Sequence, residues 1–289
     1  MSEQDKIREN VSKAYARAVE SPTPSPGDSG APVQKGVAVK SAGYHDEELE
    51  SLPRDAVENS FGCGNPLAFS DVAEGDVVVD LGSGAGIDVL LAAKKVGPTG
   101  RAIGIDMTDE MIARARANIA ASGVTNAEIR KGTVEDLPVD DDSVDWVISN
   151  CVINLSPEKT KVYAEIARVL KPGGRMIVTD IVASDLPSWV LNDKALHASC
   201  LAGAIDEETY LDGLRKAGLE EVEVRERVVY DQALLEPFIA SELPGGTQSA
   251  CCPEESTGGA SSGIKNIADA AKSLVGKVSS VKIFARKPR

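Results

Sequence analysis

The segment Val77-Val-Val-Asp-Leu-Gly-Ser-Gly-Ala-Gly86 constrains this chain more than any other. A short β-branched apolar run bounded by Asp76 and Gly82 reads as a strand covered on both faces, the environment of a central strand in a parallel sheet. It runs straight into a turn where Gly82, Gly84 and Gly86 let the backbone bend sharply and approach a ligand closely. The stretch from Ile87 to about Val96 then predicts a helix whose amide-rich N-terminus points at whatever the turn holds. Strand and helix patterns alternate after it, so the expected fold class is α/β: an open sheet with helices on both faces.

The spacing separates two cofactor readings. A dinucleotide fingerprint, G-x-G-x-x-G, needs a glycine where Ile87 stands. The chain has G-x-G-x-G led by Asp80, which resembles the first motif of the Rossmann-like class I S-adenosylmethionine methyltransferases. That resemblance implies that Asp80, Gly82, Ser83, Gly84 and Gly86 wrap the methionine and ribose end of the cofactor. A tight turn with no ligand remains the alternative.

The 289 residues, 42% of them hydrophobic, suffice for one good-sized core with appendages. No run of eighteen apolar residues occurs and the first residues are polar, so a cytoplasmic protein with no membrane segment is expected. A formal charge of −14 argues against a nucleic-acid partner. The five cysteines, Cys63, Cys151, Cys200, Cys251 and Cys252, form no C-x-x-C pattern and are too scattered for a disulfide scaffold, so thiols are expected.

Ile7, Val11, Tyr15 and Val19 recur at helical spacing, predicting a helix over about 2–19 that packs as a lid or cap. Residues 21–30 have the Pro, Ser and Gly content of a linker. We therefore divide the chain into residues 1–43 (helix and linker), 44–182 (cofactor-binding domain) and 183–289 (an insertion and a region completing the sheet). A short helix is expected within 44–57. The strand 101–106 ends in Asp106, where a carboxylate reaches ribose hydroxyls in this fold, with Met107 beside it; capping the helix over Asp109–Ser122 is its alternative role. After a strand at 127–130, Gly132-Thr-Val-Glu-Asp-Leu-Pro138 resembles the segment that lines the adenine ring in these methyltransferases, which implies the backbone of Val134 and the carboxylate of Glu135 as candidates for the adenine edge. The strand 143–150 brings Asn150 to the ligand-binding end of the sheet, followed by a helix with Ser156 as N-cap and Pro157 at N1. Lys171–Gly174 should close that helix ahead of a strand over 175–182. An insertion with Trp189, His197 and Cys200 follows, then a helix over 206–217. Alternating patterns at 221–230 and 278–285 predict an antiparallel last pair, separated by helices near 233–241 and 264–275.

From about Tyr44 to Gly218 the chain resembles the arsenite S-adenosylmethionine methyltransferases. The matching segments are Phe-Gly-Cys63-Gly-Asn-Pro, the glycine-loop motif through Asp88, Gly104-Ile-Asp106-Met-Thr-Asp-Glu-Met111, Ser149-Asn-Cys151-Val-Ile-Asn-Leu-Ser156 and Cys200-Leu-Ala-Gly-Ala204. The resemblance implies an enzyme in which thiolates of Cys63, Cys151 and Cys200 hold trivalent arsenic, a soft centre that such ligands select. It also implies S-adenosylmethionine as methyl donor and a thiol reductant of the thioredoxin or glutathione type. It further implies arsenite or methylarsenite, as thiol conjugates, for the substrate, and a monomer is expected. Many relatives carry extra cysteines in the N-terminal segment; residues 1–43 have none. Cys251-Cys252, adjacent in a loose segment, are candidates for arsenite capture, against the alternative of an idle loop. Two other functions compete: a C- or O-methyltransferase of a quinone- or sterol-like acceptor, which commonly needs a base, and a non-catalytic arsenic-binding protein with a vestigial cofactor loop.

Overall fold

The computed structural model describes residues 1–20, 43–62, 64–192, 199–242 and 266–289. The expected linker, His197, Cys63 and the Cys251-Cys252 pair lie outside the described residues. Strands β1 (Val77–Leu81), β2 (Arg101–Asp106), β3 (Ala127–Lys131), β4 (Val144–Asn150), β5 (Leu170–Ala183), β6 (Glu220–Val229) and β7 (Val278–Arg286) form one sheet. Its order is β3-β2-β1-β4-β5-β7-β6. The first five strands run parallel, and β7 lies antiparallel to both β5 and β6. Connections reverse direction between β1 and β4, which opens a crevice at the C-terminal ends of those strands.

The helices are α1 (Glu3–Glu20), α2 (Asp46–Glu50), α3 (Arg54–Glu58), α4 (Ile87–Val96), α5 (Asp109–Ser122), α6 (Lys159–Val169), α7 (Ser188–Asn192), α8 (Glu207–Lys216), α9 (Gln232–Glu242) and α10 (Ile267–Leu274). None of these is long and apolar enough to cross a membrane. The central strands β1 and β4 are buried on both faces, as the run Val77-Val-Val requires. Val78 packs with α4, α5, Trp146 and Ile148 on one side. Val79 and Leu81 meet Tyr163 and Ile166 of α6 and Tyr210 and Leu214 of α8 on the other. A third cluster joins Cys151 and Cys200 to Val190, Leu235, Ile239 and Leu274, so α7, α9 and α10 wrap the two cysteines in apolar surface. Leu235, Ile239 and Leu274 are fully buried, each worth about 1.5–3 kcal/mol relative to exposure.

Local chemistry sets the boundaries. Asp206 caps α8 by accepting the N–H groups of Glu208 (3.0 Å) and Thr209 (3.3 Å), and α5 ends at left-handed Gly123. Residues 44–57 hold parts of two helices rather than one, because Pro53 interrupts the run as N-cap of α3. Ser156 is not the N-cap of α6. That helix starts at Lys159 with Glu158 at the cap, while Ser156 ends a 3-10 turn, Ile153–Leu155. Its Oγ still accepts the Glu158 N–H at 3.1 Å, but its own proton goes to Glu135. Lys171–Gly174 belongs to β5 instead of closing α6; the strand absorbs it through a register shift against β4 between Val144 and Trp146.

Candidate active site

The glycine turn and the end of β2 form one unit. Gly82 (φ +65°) and Gly86 (φ +92°) adopt left-handed conformations, and a Cβ on Gly82 would lie 2.5 Å from the Val152 side chain. The Ser83 N–H donates to the Ile105 carbonyl (2.9 Å) and the Gly84 N–H to Asp106 Oδ2 (2.9 Å). Asp106 Oδ1 also accepts the Thr108 N–H at 2.8 Å. Thr108 occupies the N-cap position of α5, yet its hydroxyl donates to Ser12 Oγ of α1 (3.2 Å). Asp106 thus supplies the helix with a hydrogen bond and keeps its place in the cavity wall.

That cavity has an empty volume of about 960 Å³, open solvent included. Asp80, Gly82, Ser83, Gly84, Asp106 and Met107 line one part of it, Val134 and Glu135 a second, Asn150 and Cys151 a third. Gly86 stands behind the wall, starting α4 and packed against Ala115. α1 contributes Arg8, Val11 and Tyr15 to the wall. Arg8 donates to Glu135 Oε1 (3.2 Å) and to Glu158, and the Ser156 hydroxyl donates to the same Glu135 oxygen at 2.5 Å. The adenine-edge candidate is therefore already held by two protein donors.

Three carboxyls line the cavity, Asp80 and Asp88 buried and Asp106 half-buried. Burial pushes Asp80 well above the ordinary carboxylate range, with Asp88 and Asp106 adding to it. Burial raises Asp88 to about 6 against the hydrogen bonds from Tyr44 and Asn150. Asp106 is raised by burial, in opposition to its bonds from Thr108 and Gly84. Nearby positive charge on a ligand would relieve all three, so the geometry fits a cationic group such as an ammonium or a sulfonium.

At the other end, Cys151 follows β4 with φ +58°, a left-handed conformation that costs a non-glycine residue about 1–2 kcal/mol. Its N–H donates to the Thr179 carbonyl (2.8 Å), and its own carbonyl accepts Cys200 Sγ at 2.9 Å. Both cysteines are buried. The structure thus brings Cys151 and Cys200 together, with Cys151 in the cavity wall and Cys200 behind it. The expectation of thiols throughout fails at Cys151, which is disulfide-bonded here. Gly62 and Gly64, on either side of position 63, rest on the end of the sheet: a Cβ on Gly62 would strike the Asn150 amide at 2.2 Å, and one on Gly64 the Thr179 side chain at 2.3 Å. Among the described residues no group of three or more His, Cys, Asp or Glu is arranged to hold a metal ion.

Sequence reasoning missed Arg8, Tyr44 and Thr179 and gave Asp88 no role. Asp88 carried a signal, an acid directly behind a cofactor glycine loop. Arg8 and Tyr44 reach the site from far along the chain and carried none.

A methyltransferase-domain family model matches residues 73–219. The arsenite methyltransferase of Halobacterium salinarum is 46% identical over 183 residues, covering 63% of this chain and 46% of that protein. The arsenite methyltransferase of Aquipseudomonas alcaligenes is 37% identical over 182 residues, covering 60% and 51%. This chain thus spans about half the length of these curated relatives. Among solved structures, the arsenic(III) S-adenosylmethionine methyltransferase of Chlamydomonas reinhardtii superposes with a TM-score of 0.63 at 30% identity, covering 87% of this chain and 73% of that one. With the class I sheet, the glycine loop and paired cysteines at the switch point, the chain belongs to the S-adenosylmethionine-dependent arsenite methyltransferases.

Proposed function

We propose that this protein transfers methyl groups from S-adenosylmethionine to trivalent arsenic held by Cys63, Cys151 and Cys200. The reading is supported above all by Cys151, which lines the cavity that begins at the glycine loop and has the Cys200 thiol 2.9 Å from its carbonyl. When bound, the cofactor supplies an electrophilic methyl on a positively charged sulfur. Asp80, Gly82, Ser83 and Gly84 form its cradle, with Gly86 supporting the turn from behind, Asp106 and Met107 take the ribose side, Val134 and Glu135 the adenine edge, and Asn150 the methyl end. The carboxyls of Asp80, Asp88 and Asp106 favour a cation there.

Three thiolates leave arsenic one lone pair, directed away from them. That pair forms the new arsenic–carbon bond as the carbon–sulfur bond breaks, and the departing sulfur keeps the bonding electrons. The nucleophile carries no proton, so no general base is needed. Alignment alone supplies up to about 7–11 kcal/mol of barrier reduction. A thiol reductant of the thioredoxin or glutathione type opens the disulfide at Cys151 before arsenic binds, and arsenite or methylarsenite arrives as a thiol conjugate. The protein works in the cytoplasm as a monomer, and Cys251-Cys252 serve as an accessory capture pair.

The test is incubation with arsenite, a thiol reductant and labelled S-adenosylmethionine, followed by arsenic speciation. Cys151→Ser and Cys200→Ser should each abolish arsenite methylation and leave cofactor affinity nearly unchanged. Full turnover by either variant would refute the three-thiol site.

A further inference from the structure

Asn150 does more than line the cavity. Its Oδ1 accepts the Gly64 N–H at 3.1 Å, and its Nδ2 donates to the Gly64 carbonyl, so one amide grips the same residue by both backbone groups. Nδ2 also lies 3.1 Å from the Tyr44 hydroxyl and 3.3 Å from Asp88 Oδ2. The Tyr44 hydroxyl donates to Asp88 Oδ1 at 2.8 Å. Tyr44 and Asp88 are both buried, so this network is set in a closed environment where hydrogen bonds are strong and losing one is costly. Gly62 is pressed onto the same amide, with no room for a Cβ.

One side chain therefore joins three segments: the end of β4, directly before Cys151; the chain on both sides of residue 63; and the first turn of α4, directly after the glycine loop. We propose that Asn150, oriented by Asp88 and Tyr44, is a positioning residue that sets the spacing between the cysteine-bearing segments at 63 and 151. This rests on the three-thiol reading above and assigns the Asn150 amide to the arsenic side of the site, where that reading placed it beside the cofactor methyl. Asp88 and Tyr44 act by fixing the amide.

The test uses the full chain under a non-thiol reductant and compares the wild type with Asn150→Asp, which keeps the volume, removes the donor and sets a carboxylate against the Gly64 carbonyl. Phenylarsine oxide, which requires two well-spaced thiols, is the probe. Its affinity should fall at least tenfold while the dissociation constant for S-adenosylmethionine stays within threefold, and arsenite methylation should lose kcat with an unchanged KM for the cofactor. Tyr44→Phe, which deletes one hydroxyl, should move the same quantities in the same direction by a smaller factor and covers the case in which Asn150→Asp does not fold. A weakened cofactor affinity with intact phenylarsine oxide binding would overturn the proposal and make Asn150 a cofactor contact. Equal losses of both, or no change in either, would also overturn it. If wild-type protein binds phenylarsine oxide tightly but fails to methylate arsenite, the functional reading fails and the positioning role is still decided by the binding data.

Discussion

Gly203→Ala offers the sharpest test of how the two cysteine segments are held. Gly203 closes the turn that follows Cys200, with its N–H on the Ser199 carbonyl at 3.3 Å. A Cβ there would lie 2.0 Å from the Asn154 carbonyl oxygen and 2.9 Å from its carbon, whereas ordinary contact begins near 3.4 Å. The obstacle is backbone, and it cannot step aside cheaply. The Asn154 side chain donates to the Ile181 carbonyl at 2.6 Å, and its carbonyl accepts the Lys159 ammonium at 3.0 Å. The turn carrying Cys200 must therefore swing away from the Cys151–Leu155 segment by more than an ångström.

Two effects oppose each other. Replacing glycine by alanine at a compatible backbone position gains about 0.4–1 kcal/mol from the unfolded state. Overpacking costs about 1–3 kcal/mol, so the clash wins and net stability falls by up to roughly 2 kcal/mol. Activity should suffer more, because a displacement of about 1 Å in reacting groups can cost on the order of 100-fold in rate. Denaturant melts, calorimetric cofactor titration and arsenite methylation at saturating cofactor measure the three quantities. We expect a modest loss of stability, unchanged cofactor affinity and a roughly 100-fold fall in kcat. Wild-type kcat in a folded Gly203→Ala protein would refute the claim that this contact sets the thiol geometry.

Asp106→Ala should weaken S-adenosylmethionine binding by about 1.5–3 kcal/mol, the range for hydrogen bonds to a charged group, and unchanged affinity in a calorimetric titration would return Asp106 to a purely structural role. Arg8→Ala unlatches α1 from Glu135 and Glu158, so cofactor dissociation followed by stopped flow should accelerate about tenfold, equivalent to about 1.4 kcal/mol; an unchanged rate would mean that α1 does not close the cavity. Asp180 is buried and pushed up to about 7, mainly by burial, against bonds and charge from Ile181, Lys159 and Tyr210. A raised carboxyl contributes stability that is whole below its unfolded value near 3.8 and lost as pH rises through about 7; Asp180→Asn should therefore flatten the fall in stability across that window, by on the order of 4 kcal/mol between its ends, and parallel profiles in denaturant melts from pH 4 to 8 would contradict the assignment.

The parts legible in the sequence are those fixed by short-range rules. The buried run at Val77, the glycine turn and the capped helices each depend on residues a few positions apart, and the strands and helices fall within a few residues of expectation. What escaped depends on distant partners. Ser156 reads locally as a helix cap, but the Glu135 carboxylate claims its proton from 21 residues away, and the helix starts later. Arg8 reaches Glu135 across 127 positions and Tyr44 reaches Asn150 across 106, separations at which no periodicity survives. The strained backbone at Cys151 is hidden for another reason. Left-handed conformations are usually announced by Gly, Asn or Asp, and here a cysteine sits where glycine would be the easy choice.

That choice bears on how the two halves of the site are joined. The glycine-loop half is lined by acids; the cysteine half is enclosed by Ile181, Val190, Leu235 and Leu274. Such environments place opposite demands on nearby groups, since the apolar wall raises every carboxyl that it desolvates. Asp88 stands at the seam. Its charge raises Asp80 on the cofactor side, while its oxygens face Tyr44 and Asn150 on the cysteine side. A neutral residue there would leave Nδ2 of Asn150 with fewer acceptors, and an acid without those donors would be a buried, unsatisfied charge. The hydrogen bonds that tie Asn150 to Gly64, Tyr44 and Asp88 are thus also what makes a third acid tolerable beside Asp80 and Asp106, so the two ends of the cavity share one structural element.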